Sequence, residues 1–210
     1  MLSRLPATIL AATVATVAAD VTGPFALQII GKEDASIDGY AGACHAGAGI
    51  EALCYADGPV DGNSFEWYFN TTSSSSSGQP GYLTWILPLG GDQAGTGVPS
   101  AVQLSGGGWG TNVVPAMVYP GLQGGTNFYY SADNGTVYLP GGYDDSAFND
   151  TRPAPPPYLG DLTRFYLCYQ YTGGYYYRSI AWVAVPPPRN PSCVPVDLRV
   201  QTLEPARSPA

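Results

Sequence analysis

Four cysteines and one histidine are the residues of this sequence that first invite chemistry. Cys44, Cys54, Cys168 and Cys193 form an even set, and four thiols allow three pairings. Each of the pairs Cys44 with Cys54 and Cys168 with Cys193 closes a local loop between segments that can return to one another, so these are the expected disulfides. The competing use, zinc held by Cys44, His45 and Cys54, is set aside. Neighbouring side chains such as Cys44 and His45 rarely point at one ion, and the fourth ligand of a tetrahedral site is not evident. His45 is the only histidine, so any Ser-His-Asp or Cys-His arrangement must use it. Its place beside a half-cystine favours a structural role, and no residue is assigned as catalytic.

Carboxylates and aromatic rings come next. A glycosidase needs two acids across the scissile bond, and Glu33, Glu51, Glu66 and Asp161 qualify by type, but nothing in the order of residues brings two of them together. The acidic stretch at 142–150 offers oxygen atoms to calcium but lacks the ordered spacing of a calcium loop. Neither a metal nor a cofactor is expected. The aromatic surplus is the stronger lead, because exposed rings stack on sugars and tyrosine adds a polar handle. The candidate glycan-binding residues are Tyr175, Tyr177 and Trp109. The first two alternate on one face of a hairpin, and Trp109 stands in the run Gly106-Gly107-Gly108-Trp109-Gly110.

The elements that must position these groups read as short strands. Phe25, Leu27 and Ile29 alternate with smaller or polar neighbours, as do Phe65, Trp67 and Phe69, which is the period of a half-buried strand. Similar segments lie at 82–87, 101–104, 113–119, 128–131, 136–139 and 194–200, with Pro115 demoting its segment to an edge. The one helix candidate, 46–53, is weakened by Gly47 and Gly49. The serines at 73–77 form a flexible connection and the prolines at 153–157 a stiff one. Asn134-Gly135 signals a type I′ hairpin turn. A second hairpin turns at Gly173-Gly174. A two-residue loop there sets Leu167 opposite Ile180 and Phe165 opposite Trp182 on a core face. It also pairs Tyr169 with Arg178, Tyr171 with Tyr176 and Cys168 with Ser179.

Composition agrees: 27 Gly and 20 Pro break helices while 16 Tyr suit a pleated surface. At the N-terminus Arg4 precedes an apolar run at 5–19 that ends in small residues before Asp20, the order of charge, apolar stretch and small residues found in a cleavable secretory signal. Residues 20–210 then form one β-rich extracellular domain with a short proline-containing C-terminal tail, and that tail is not the apolar kind a lipid anchor requires. Of 8 basic residues Arg4 leaves with the signal, so 7 face 16 acidic ones, a net charge of −9. Such a surface repels nucleic acid and anionic lipid, and the mature form is expected to bind neither. Three sequons, at Asn70, Asn134 and Asn149, lie in stretches read as loops or turns and are the expected glycosylation sites. Asn190-Pro191-Ser192 fails through its proline.

The stretch Cys44-His45-Ala46-Gly47-Ala48-Gly49-Ile50-Glu51-Ala52-Leu53-Cys54 resembles the Cys-His-Ala-Gly-Ala motif of a family of small secreted proteins of filamentous ascomycetes. Pro24-Phe25-Ala26-Leu27 and the segment from Trp182 to Asn190-Pro191-Ser192-Cys193 agree with it. Gly49 and Ala52 stand where that family has alanine and glycine. The resemblance implies a fungal extracellular or wall-associated β-rich protein and no reaction. The expected fold is all-β, a single antiparallel β-sandwich or jelly-roll-like domain with two disulfides. The leading functional expectation is a secreted, N-glycosylated, non-catalytic protein that binds cell-wall polysaccharide through exposed tyrosines. The alternatives are a secreted polysaccharide hydrolase using paired carboxylates and an effector that binds a host protein outside the cell.

Overall fold

The structure, a computed structural model, describes residues 20–58, 62–71, 80–104, 110–146, 148, 151 and 156–203. The secretory signal expected at 1–19, the serine connection at 73–77, Trp109, Asn149, most of the proline stretch at 153–157 and the tail from 204 lie outside these residues. Among the described residues there is no α-helix, only two single turns of 3-10 helix at Asn63–Phe65 and Gly91–Gln93. The strands are β1 (Asp20–Gly31), β2 (Asp38–Gly47), β3 (Ile50–Asp57), β4 (Trp67–Thr71), β5 (Gly81–Pro88), β6 (Gly97–Leu104) and β7 (Val113–Pro120). They continue with β8 (Asn127–Tyr130), β9 (Val137–Pro140), β10 (Asp161–Leu162), β11 (Phe165–Thr172), β12 (Tyr175–Val183) and β13 (Val194–Thr202).

The all-β class is as expected, but the arrangement is not a sandwich. The order β5-β4-β1-β13-β11-β12-β3-β7-β6 returns to β5 through the β5–β6 ladder, so nine strands close into a barrel. Closure removes the free edges that two stacked sheets would leave at their sides. Strand β2 bridges β1 and β3, while β8, β9 and β10 extend from β5. Most of the alternating residues point where their period predicts: Leu27, Ile29, Trp67 and Phe69 are buried in the interior with Phe165, Leu167 and Ile180, whereas Phe65 ends the 3-10 turn before β4 and is half-buried. Trp67 carries a polar atom into this core and satisfies it by donating from Nε1 to the Ala41 carbonyl at 2.8 Å.

Three local readings are corrected. The helix candidate at 46–53 is instead the β2–β3 hairpin, turning at Ala48 and Gly49 with a bulge at Ala46. Its small residues answer to packing, since a Cβ at Gly42 would run into the Phe65 ring and one at Gly39 into Tyr55. Strand β7 is not a sheet edge: it pairs with β6, β3 and β12. Pro115 faces Ala181 of β12, and the described part of the β6 ladder starts at Ala116. The Asn134-Gly135 turn is longer than type I′. Ser131 and Thr136 close it around residues 132–135, with Gly135 at φ 70°.

That turn is not a free-standing tip. Gly135 packs on β13, its carbonyl accepting from the Val200 amide at 2.9 Å. Asn134 itself is exposed, and its Oδ1 accepts from the Thr136 amide at 3.0 Å, which engages the oxygen and not the nitrogen that carries a glycan. Asn70 sits not in a loop but inside β4, half-buried and paired with both Val21 and Tyr82.

Candidate functional site: the tip of the β11–β12 hairpin

The two-residue turn at Gly173 and Gly174 has both residues at positive φ, 61° and 95°, the requirement of a tight hairpin that follows strand twist. The ladder runs from Phe165–Trp182 to Thr172–Tyr175 in the predicted register. At its base, Phe165, Leu167 and Ile180 are buried and Trp182 packs against them. Strand β13 accompanies β11 only as far as Leu167–Val194. Beyond that point the hairpin projects past the barrel, and the same face that was core becomes surface.

That face carries Tyr169, Tyr171 and Tyr176, which are 57%, 65% and 66% exposed. Tyr171 and Tyr176 lie directly opposite one another with ring centroids 4.8 Å apart, and Tyr169 stacks near-parallel to Tyr176 at 6.0 Å. Arg178, across from Tyr169, places its guanidinium 5.0 Å from the Tyr55 ring centroid. The Tyr55 hydroxyl is pushed up by burial and by its hydrogen bond to Asp57, so the phenol stays neutral beneath the cation.

The other face is braced. Tyr175 and Tyr177 stack at 5.9 Å on the side predicted for them, but the β2–β3 hairpin leans against it. The Tyr177 hydroxyl donates to the His45 carbonyl at 2.6 Å, and Tyr177 is half-buried. Tyr175, 44% exposed, meets the His45 ring edge-on at 5.5 Å. A Cβ at Gly173 would overlap the Ala46 carbonyl oxygen, so the tip can approach this closely only with glycine there.

Beneath the brace, Glu51 lies 3.8 Å from His45 Nδ1, with only 13% of its side chain exposed. Burial pushes its carboxyl above the ordinary value of 4.5, and His45 opposes that shift. Among the described residues the ionisable group that acts on Glu51 is His45, and Glu33, Glu66 and Asp161 do not complete a carboxylate pair with it. Cys44 and Cys54 are bonded to each other, as are Cys168 and Cys193, in the expected pairing. The first bond consumes the thiols a zinc site would have needed. Among the described residues no cluster of three metal-ligating side chains exists. In the acidic stretch at 142–150, Asp144 turns its carboxylate onto Ser146, which holds it below the usual carboxylate range.

Sequence reasoning does not single out the exposed trio Tyr169, Tyr171 and Tyr176, although the register places all three. The usable signal is the change from Leu167 to Tyr169 and Tyr171, facing Arg178 and Tyr176, along one face: a core does not continue through a charged residue. The model of a domain of unknown function, DUF7907, matches residues 22–202, from β1 to the end of β13. The chain belongs to the DUF7907 family. The DUF7907 match therefore spans the whole barrel and both disulfides. No curated protein and no solved structure matches the chain. Two disulfides, and the lack among the described residues of a helix long and apolar enough to cross a membrane, are compatible with an extracellular DUF7907 protein.

Proposed function

We propose that this protein is a secreted, N-glycosylated, non-catalytic component of the fungal extracellular space or cell wall, and that it binds glycan through the bare tyrosine face of the β11–β12 tip. The observation that carries the reading is the grouping of Tyr169, Tyr171 and Tyr176 on a projecting hairpin, each more than half exposed. An aromatic surface of this kind is costly to leave in water and marks a contact site. The polar hydroxyls on a flat apolar face match a sugar ring, which has hydroxyls at its rim and C–H groups on its faces. The acidic net charge of −8 for the full chain favours a neutral polysaccharide over an anionic one.

Replacing Tyr171 and Tyr176 together by Ala tests this. Each stacking contact is worth about 0.5–1.5 kcal/mol, so retention on insoluble wall polysaccharide should weaken by about tenfold or more while the unfolding midpoint stays put. Equal retention of variant and parent removes the site, and no retention of either removes the activity. The hydrolase reading requires paired carboxylates, and the group that faces the raised Glu51 carboxyl among the described residues is His45, not a second acid.

A further inference from the structure

An open cavity of about 270 Å³ lies on the outward face of the β11–β12 hairpin, between the start of β7, which flanks β12, and the segment that leads to Cys193. Thr111, Val113 and Pro115 form one wall, Asn190 the other, with Gln170 between them and Tyr169 and Tyr171 at the rim. Asn112 ties the two walls together. Its Nδ2 donates to the Val185 and Pro187 carbonyls at 2.6 and 2.8 Å, and its Oδ1 accepts from the Arg189 amide at 2.8 Å.

Gln170 is only 8% exposed, and its two amide atoms are treated differently. Nε2 faces Ser179 Oγ at 2.8 Å, the Ser179 carbonyl at 3.2 Å and the Ile180 carbonyl at 3.4 Å. Two carbonyl acceptors on that side settle the amide's orientation. Oε1 is thereby turned away from Ser179, and among the described residues it accepts no hydrogen bond. Oε1 keeps contact with solvent, so water satisfies it until a ligand takes that place.

The strand edge adds a second polar pair. Tyr169 sends both backbone groups outward, its N–H to Ser192 Oγ at 2.9 Å and its carbonyl to Asn190 Nδ2 at 3.0 Å. Outward pairs recur at every second residue of an antiparallel strand, so Tyr171 turns its N–H and carbonyl to the same edge, where β13 no longer runs. The site thus presents an acceptor at Gln170, a donor and an acceptor at Tyr171, and apolar walls at Val113 and Pro115.

We infer that this cavity is a subsite for a single neutral sugar ring, at the edge of the tyrosine face. Donors and acceptors set against an apolar wall suit vicinal hydroxyls on a ring with C–H faces. The volume lies just below the ~300–1,000 Å³ of pockets that enclose drug-sized ligands, which limits the occupant to one ring of a chain. The inference rests on the glycan-binding reading, and it names where the polymer is recognised as distinct from where it is stacked.

The test titrates isotope-labelled protein with methyl β-glucoside, methyl α-mannoside and N-acetylglucosamine, following the side-chain amide signals of Gln170 and Asn190 by NMR. At least one sugar should shift both signals saturably. Thr111→Trp, placed on an exposed wall position, should plug the cavity and abolish the shift with the unfolding midpoint unchanged. Gln170→Met should weaken binding by about tenfold through loss of the acceptor. Tyr176→Ala, outside the cavity, should leave these titrations unaltered while lowering retention on polysaccharide. No saturable shift with any of the three sugars, in protein that polysaccharide still retains, overturns the subsite and spares the stacking face. A shift that persists in Thr111→Trp puts the sugar elsewhere and also overturns it.

Discussion

The base and the tip of the β11–β12 hairpin share one face, one register and one run of alternating residues, yet one is core and the other is surface. At the base, Leu167 and Ile180 are covered by β13 and the barrel wall. Two residues further along the same face, Tyr169 and then Tyr171 stand in solvent because β13 has turned away. Alternation decides which way a side chain points, and only the neighbouring strand decides whether that direction is inside. Tyrosine is the residue that tolerates this change, since it is apolar enough for a pleated face and polar enough to be left wet.

The comparison breaks most visibly by truncation. Leu167→Ala should cost about 2–5 kcal/mol, as buried leucines do, whereas Tyr171→Ala should stay within about 0.5 kcal/mol. Urea unfolding measures both, and comparable losses would show that the tip is packed and not bare. The second effect is that of the staple joining the base to the segment that holds Tyr169. Replacing Cys168 and Cys193 together by Ala opens a link across a sequence separation of 25 and should cost about 3.5 kcal/mol. Losing Cys44–Cys54, with a separation of 10, should cost about 0.8 kcal/mol less, because its loop is shorter. Calorimetry of the two variants checks the order, and a larger loss at Cys44–Cys54 would mean that the brace, not the base, holds the hairpin.

Much of the hairpin is legible in the residues alone. The disulfide pairing, the two-residue turn at Gly173-Gly174 and the whole β11–β12 register follow from short loop closure, glycine and alternation, which are local rules. The barrel is not legible in this way, since closure depends on β6 reaching back to β5, a pairing that no short pattern encodes. Strand β2 escapes notice for a related reason: Gly39 and Gly42 are small to admit Tyr55 and Phe65 rings from elsewhere, and small residues show no period. The site falls between these cases. Tyr175 and Tyr177 are placed on the correct face by their spacing, but the β2–β3 hairpin that braces them reads as a helix, so the cover over that face is invisible. The bare tyrosines lie on the face that reads as core, because alternation does not say where a core stops.

The smallest effect sharpens the contrast between the bare and braced faces, and it is read through pH. Glu51, under the brace, has a carboxyl that burial holds above 4.5, so the folded chain binds that proton more tightly than the unfolded chain does. Its contribution to stability is then fully present below 4.5 and is lost as pH rises through the folded value. Glu51→Gln removes the titration while keeping shape, so the variant should gain on the parent as pH rises from acid to neutral, and the two should converge in acid. Asp34 and Asp144, both held low by Ser36 and Ser146, push the other way but are common to both proteins and cancel in the difference. His45 lowers the Glu51 value by its charge and its hydrogen bond. Adding His45→Ala to both proteins should therefore raise the folded value and widen the gap at neutral pH. Thermal midpoints of the four proteins across that range decide it. A gap independent of pH would mean that Glu51 is solvated in solution, and the contact of His45 with Tyr175 would then be too loose to distinguish one face of the tip from the other.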